Sequence, residues 1–283
     1  MTAPLQAYVL HQWPWSESSL IVDLFTRERG RVVAVAKGAR RPYSQLRPVL
    51  LPFQRVGVLL GRAPLDEAAE VFTLRSAEWL GGPPMPGGAG LFAGFYLNEL
   101  IIRLVARQDP HPALFDAYAA TLPSLRTSAG EGAREPQAAL RAFELRLLRE
   151  LGLLPDLALD TATQRPLDPR RRYRLHPEAG VMPVMGGGSV APSSGSISGP
   201  VNVEGSAASL SPGSLQGVEH ALAQPDDGMA LQAACTGELG AWRQQLRTCL
   251  HYHLGAATLR TRQVRQSVQG LLAAGRDEPA AMV

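Results

Sequence analysis

Five short apolar stretches between Gln6 and Trp79 constrain most strongly what this chain can fold into. They run Gln6–His11, Leu20–Thr26, Arg31–Ala36, Gln54–Leu60 and Glu70–Trp79, and each carries β-branched residues. Val56, Val58 and Leu60 alternate, as on a half-buried strand, whereas Arg31–Ala36 is continuous, as on a strand covered on both faces. Turn chemistry lies between them: Pro14 to Ser19, Glu28-Arg29-Gly30, the long segment Gly38–Pro52, and Gly61–Leu65. Five strands in so short a span predict a small barrel, with a five-stranded Greek-key barrel of the OB type as the natural form. Strand count alone leaves an SH3-like barrel open.

Helical periodicity takes over after the breaker cluster Gly81-Gly82-Pro83-Pro84-Met85-Pro86-Gly87-Gly88. Leu91–Arg107 is apolar nearly all round and predicts a central buried helix, and Pro112–Ser124 predicts a second. Glu135–Leu151 carries Leu140, Phe143, Leu147 and Leu151 at steps of three and four, with Gly152 as its stop. Ser211-Pro212 opens a helix toward Ala223, and Gly237–Leu254 and Arg262–Ala274 close the chain. The expected class is α+β with more than one domain. Residues 1–80 form the barrel, 81–88 a linker, 89–155 the first part of a helical domain and 211–275 its C-terminal part. Residues 156–210 form an irregular region between them, and 276–283 a tail. Within it, Gly186–Gly199 is a Gly/Ser tract without charge, expected to be a mobile loop because it has too little apolar area to offset its ordering entropy.

Composition narrows the function. The chain has 283 residues, 45% hydrophobic and 19% charged, which describes globular material rather than disordered or fibrous chains. No run of about 18 apolar residues and no secretory signal is visible. Two cysteines, Cys235 and Cys249, rule out a disulfide framework or a four-thiolate metal cage. A protein of the reducing cytoplasm is expected, with no membrane association. The net charge of +3 conceals a segregation: residues 1–62 hold nine bases against three acids, and residues 63–160 hold eight against thirteen. A basic block at the front predicts an anionic partner there. Arg170-Arg171-Arg172 is the densest charge run in the chain.

Enzyme signatures are absent: no phosphate-binding Gly-x-x-x-x-Gly-Lys-Ser/Thr, no Gly-x-Gly-x-x-Gly after a strand, no Gly-x-Ser-x-Gly, no His-Glu-x-x-His. Cys249, His251 and His253 are metal-type ligands, but a helix would disperse that spacing. No catalytic residue, metal or cofactor is expected.

The informative segment is the strand Arg31–Ala36 running into Lys37, Gly38, Arg40, Arg41, Tyr43 and Arg47. Arginine forks and a lysine raised on one mouth of a barrel suit a phosphate backbone, with Arg31 and the nearby Arg27 and Arg29 as assisting cations. Tyr43, Trp13 and Trp15 are placed to stack on bases, at about 1–3 kcal/mol per base. The competing reading is a solvated basic hairpin, with the tryptophans capping the barrel.

His11-x-x-Pro14-Trp15-Ser16-Glu17-Ser18-Ser19-Leu20, Phe25-Thr26, Gly30-Arg31 and Val35-Ala36-Lys37-Gly38-Ala39-Arg40 resemble the N-terminal domain of the bacterial recombination mediator family RecO. Leu74-Arg75-Ser76-Ala77-Glu78, Tyr96-Leu97-Asn98-Glu99-Leu100 and Leu140-Arg141-Ala142-Phe143-Glu144-Leu145 extend the likeness, which is specific over residues 8–152. The resemblance implies an OB-fold followed by a mainly helical domain, and a role in recombinational repair. The implied activities are binding single- and double-stranded DNA, annealing complementary strands and helping RecA load onto strands coated by single-strand-binding protein, without covalent chemistry. The implied partners are that protein's C-terminal tail, RecR and, indirectly, RecA and RecF, at the nucleoid.

Some members carry a four-cysteine zinc module after the helix that here ends at Gly152. Residues 153–180 contain no cysteine, so zinc is not expected. For the acidic, phenylalanine-ended tail the expected contact is an exposed Arg141, assisted by Arg146 or Arg149. The alternative there is that Arg141 merely pairs with Glu144. The alternative function is an OB-type RNA- or subunit-binding adaptor without annealing activity, and a hydrolase or transferase ranks behind both.

Overall fold

The computed structural model describes residues 3–61, 71–126, 134–184, 209–224, 228–255 and 258–274. The strands are β1 (Leu5–Pro14), β2 (Leu20–Thr26), β3 (Gly30–Ala36), β4 (Arg55–Leu60), β5 (Val71–Trp79), β6 (Leu159–Asp160), β7 (Arg165–Pro166), β8 (Tyr173–His176) and β9 (Gly180–Pro183). The helices are α1 (Gly88–Leu104), α2 (Pro112–Ser124), α3 (Arg134–Glu150), α4 (Pro212–Ala223), α5 (Met229–Thr236), α6 (Leu239–Leu254) and α7 (Arg260–Ala274). The expected Gly/Ser loop at 186–199 and the tail at 276–283 lie outside the described residues.

β1 to β5 close into a barrel in the order β1-β2-β3-β5-β4, with β4 returning to β1. All neighbours run antiparallel except β3 and β5, which are parallel. That arrangement is the OB-fold, and it decides the matter against the SH3-like form. Ala7, Val9, Val22, Leu24, Val32, Ala34, Val56, Val58, Phe72 and Leu74 fill the interior. Period-2 alternation sends Tyr8, Leu10 and Phe25 to the outer face, where helices cover them. Phe115 and Tyr118 of α2 stack on Tyr8 at 5.3 and 5.0 Å, and Phe115 on Phe25 at 5.5 Å. Asn98 of α1 donates to the Leu10 carbonyl at 2.9 Å and accepts from the Tyr118 hydroxyl at 2.6 Å, so the Asn98 amide and the Tyr118 hydroxyl satisfy each other inside the protein. A strand clad on both sides has no polar face, which is why β3 reads as a continuous apolar run.

The chain divides into two compact units: residues 1–132 with 256–283, and residues 133–255. The expected boundary at 81–88 is a stretch without helix or strand as far as Gly88. Packing nonetheless keeps α1 and α2 with the barrel and returns α7 to them. Glu99 of α1 accepts from the backbone amides of Arg260 and Thr261 at 2.8 and 2.9 Å, capping α7 from another helix. These bonds hold the Glu99 carboxyl below its ordinary range despite its partial burial.

In the second unit α3 packs against α5 and α6, and Ala138, Ala142, Phe143, Leu145 and Leu148 are buried on it. The short helix α5 has no counterpart in the sequence expectations, because its eight residues are too few for a periodic signal. The irregular region contains two hairpins, β6–β7 and β8–β9, joined where Thr161 donates its amide to the Val181 carbonyl at 3.0 Å.

Asp23 of β2 is a charged group inside the seam of the first unit, 3.3 Å from the Arg31 guanidinium. Burial outweighs that cation and pushes the Asp23 carboxyl up to about 6. A raised carboxyl binds its proton preferentially in the folded state, so its contribution to stability declines as pH rises from about 4 to about 6. Asp23→Asn removes that decline. Between pH 4 and neutrality the stability of the variant relative to wild type should rise, by about 1.4 kcal/mol for each pH unit between the unfolded and folded values, on top of a pH-independent offset from the lost Arg31 partner. Urea unfolding of both proteins across that range measures the difference, and a gap independent of pH would contradict the assignment.

Candidate nucleic-acid interface

β3 ends where Gly38 turns the chain with φ +72°, a left-handed conformation that costs glycine nothing. The connection to β4 is then pinned by its apolar residues. Ala39 and Leu50 are buried in the barrel core, and Leu46 and Val49 pack against it. Single turns join the anchors: Arg41 N–H donates to the Gly38 carbonyl and Ser44 N–H to the Arg41 carbonyl, both at 3.1 Å, and Leu50 N–H to the Leu46 carbonyl at 2.9 Å. Between the anchors Lys37, Arg40, Arg41 and Arg47 are exposed. No acid occurs between Lys37 and Gln54. The sequence thus alternates side chains that hold the loop with side chains that offer charge.

The β1–β2 turn is tied to the same place. Ser16 Oγ accepts from the Ser19 amide at 3.2 Å, which closes the turn. The Arg40 amide then donates to the Ser18 carbonyl at 3.0 Å, and Arg40 Nη1 donates to the Ser16 carbonyl at 2.8 Å. This leaves Trp15 64% exposed and Tyr43 94% exposed, beside the cations rather than capping the barrel. Trp13 is half-buried, with its ring 5.4 Å from His11. Four cations with two solvent-facing aromatic rings make a surface for an anionic polymer with flat bases. Glu17 is exposed on the same turn. The anchoring carbonyls of Ser16 and Ser18 were missed in the sequence, although Ser-x-x-Ser after a proline is a turn signal.

Three expected contributors stand elsewhere. β2 and β3 pair from Leu20–Ala36 at one end to Thr26–Gly30 at the other. The seven residues of β3 span about 20 Å at roughly 3.3 Å each, so Arg29 lies at the far end of the hairpin from Lys37. Its guanidinium sits 6.0 Å from the Phe72 ring centre. Arg31 is turned inward: it donates to the carbonyls of Ile102 and Val105 at the end of α1 and faces Asp23. Arg27 is held by Asp116 of α2 through two bonds of 2.9 and 2.8 Å. Arg27 and Arg31 fasten helices to the barrel, whereas Arg29 lies over a barrel residue. Gly30 shows how close that packing is, since a Cβ there would lie 1.8 Å from the Asp109 carbonyl oxygen.

The arginines expected to receive an acidic tail are also engaged within their own unit. Arg141 donates to Glu144 at 2.6 Å, with side chains only 11% and 2% exposed, so it is not the exposed cation that the sequence reading required. Arg146 donates to the Leu222 carbonyl at 2.9 Å. Arg149 grips Glu219 with two bonds, at 2.9 and 2.5 Å, tying α3 to α4. A helix that packs on several sides leaves few positions for free charge.

Cys235 and Cys249 are buried, and burial pushes their thiols up to about 12 and about 11, out of the reactive range. Among the described residues no group of three His, Cys, Asp or Glu side chains is arranged to hold a metal ion, and no helix is long and apolar enough to cross a membrane. Because residues 153–180 contain no cysteine, chelation with EDTA is expected to leave melting temperature and nucleic-acid binding unchanged. Stoichiometric zinc in protein purified without a metal-affinity tag would contradict this.

The chain is thus of the class with an N-terminal OB barrel followed by a helical domain, the barrel bearing a cationic loop with an exposed aromatic ring. Residues 1–82 match the family described as Recombination protein O N terminal, and residues 88–263 match Recombination protein O C terminal. The chain belongs to this RecO family of DNA repair proteins. It is 46% identical over 268 residues to the DNA repair protein RecO of Polaromonas naphthalenivorans, covering 94% of this chain and 96% of that one. It is 46% identical over 273 residues to the protein of the same name from Variovorax paradoxus, and 43% over 278 residues to that of Delftia acidovorans, with the same coverage.

Proposed function

We propose that this protein is a recombination mediator that works without covalent chemistry. In this reading it binds single- and double-stranded DNA, anneals complementary strands and assists RecA loading on strands coated with single-strand-binding protein. The observation that carries it is the pinned β3–β4 connection, on which Lys37, Arg40, Arg41 and Arg47 stand exposed with Tyr43 and Trp15 beside them. Annealing needs a surface that neutralises two phosphate chains and leaves the bases free to pair. Exposed arginine and lysine supply the first, and a loop with no acid of its own adds no local repulsion. Family membership supports the remaining parts of the reading: the tail of single-strand-binding protein, RecR, and through them RecA and RecF as partners, in the bacterial cytoplasm at the nucleoid.

The test is a time course of annealing between complementary oligonucleotides, beside a binding titration of each strand alone. Acceleration of duplex formation by catalytic or stoichiometric protein is the expected result. Binding without acceleration would favour the adaptor reading instead.

A further inference from the structure

Arg170-Arg171-Arg172 and its neighbours play no part in the barrel site, and their geometry is that of a built surface. Leu167 and Tyr173 are buried on either side of the turn. The Asp168 amide donates to the Tyr173 hydroxyl at 2.8 Å, Asp168 Oδ1 accepts from the Arg170 amide at 2.9 Å, and the Arg171 amide donates to the Asp168 carbonyl at 3.1 Å. Tyr173 exchanges two backbone bonds with Leu210, at 2.9 and 2.8 Å. Arg172 is spent on structure, reaching Glu238 at 2.6 Å and the Ser209 carbonyl. The turn is thereby rigid, and it holds Arg170 and Arg171 in solvent. Arg174 is exposed on the outward side of β8, and Arg165 is exposed on β7, whose hairpin is joined to β9 through Thr161.

We propose that Arg165, Arg170, Arg171 and Arg174 form a second nucleic-acid backbone contact, on the unit of residues 133–255, that receives the second strand during annealing. The role in annealing rests on the function proposed above, whereas the contact itself stands on this surface alone. Among the described residues three acids lie beside these cations. Asp160 is paired with Arg165 across the β6–β7 hairpin but is buried, with Oδ1 accepting from the Ala162 and Thr163 amides. Asp168 lies 3.6 Å from Arg171, and Glu178 accepts from the Tyr252 hydroxyl at 2.5 Å. Among the side chains exposed around them, Thr163, Gln164 and His176 are polar, and Met182, paired with Arg174 across the β8–β9 hairpin, is apolar. A phosphate chain needs only spread positive charge, whereas an acidic peptide with an aromatic end needs an apolar seat as well. Arginines on an ordered turn lose little freedom on contact, so their charge is available to a polymer at small entropic cost.

The test compares the full chain with Arg165→Ala/Arg170→Ala/Arg171→Ala and with the matching triple lysine variant. Three readouts are taken: affinity for one labelled single strand, its salt dependence, and the rate of annealing to a complementary strand. The alanine variant should anneal at least fivefold more slowly. Its single-strand affinity should fall by no more than threefold, and the lysine variant should recover most of the annealing rate. For a duplex bound through these residues, the log–log salt slope should shrink by about 0.9 for each lost contact. Wild type that anneals, with an alanine variant that keeps its full rate and salt slope, overturns this proposal and leaves the barrel reading standing. Wild type that binds no DNA overturns both. Poly-glutamate serves as a control probe. If the alanine variant loses affinity for it while DNA annealing is unchanged, the surface takes an acidic peptide and the proposal fails.

Discussion

Replacing Arg40 and Arg41 together by alanine is expected to weaken binding to single-stranded DNA at least tenfold, to the same extent for every base sequence. Both side chains are exposed, and the loop that carries them is held by Ala39, Leu46, Val49 and Leu50. The Arg40 side-chain bond to Ser16 is lost, but its backbone bond to Ser18 stays, so the fold should change by no more than about 0.5 kcal/mol. The log–log salt slope should shrink by about 0.7 for each lost phosphate contact. Tyr43→Ala, by contrast, should reduce affinity through stacking, by about 1–3 kcal/mol per base, and leave the salt slope alone. Fluorescence anisotropy between about 50 and 200 mM salt separates the two behaviours. A folded double variant with unchanged affinity and slope would remove the loop from the DNA path.

Arg141→Ala is expected to act on stability first. Glu144 has 2% of its side chain exposed and pairs with Arg141 at 2.6 Å, so the substitution removes one member of a buried ion pair. Breaking a buried pair from one side costs about 3–5 kcal/mol. Urea unfolding followed by circular dichroism should show the loss, and Arg141→Ala/Glu144→Gln should recover most of it. An Arg141→Ala protein of wild-type stability would show that the pair is not held as described. It follows that weaker docking of an acidic tail in the single variant speaks for a contact at Arg141 only if the double variant is also weak.

Much of the barrel was legible because its signals are local. β-branched runs, turn residues and the break at Gly81–Gly88 lie next to one another in sequence, and β2 and α2 start and end where periodicity put them. The cationic loop was legible for the same reason: Lys37, Arg40, Arg41 and Arg47 follow a strand, and turn chemistry keeps them out of the core. Partners distant in sequence were not legible. Nothing near Arg31 announces that the Ile102 and Val105 carbonyls lie 71 and 74 residues on, and nothing near Arg149 points to Glu219. An arginine's sequence position says that it carries charge, whereas its tertiary neighbours decide whether that charge is offered or used. The inward turn of Arg31 and the pairing of Arg141 are both decided at that level. Strand length explains Arg29, since a β-hairpin places residues close in sequence at opposite ends of a barrel.

Ultraviolet cross-linking of single-stranded DNA to the full chain, with the linked peptides identified by mass spectrometry, tests the central claim most directly. The account predicts cross-links at Tyr43 and Trp15, in peptides covering the β1–β2 turn and the β3–β4 connection, and their loss as salt rises. Cross-links that avoid both segments, or that persist unchanged at high salt, would contradict it.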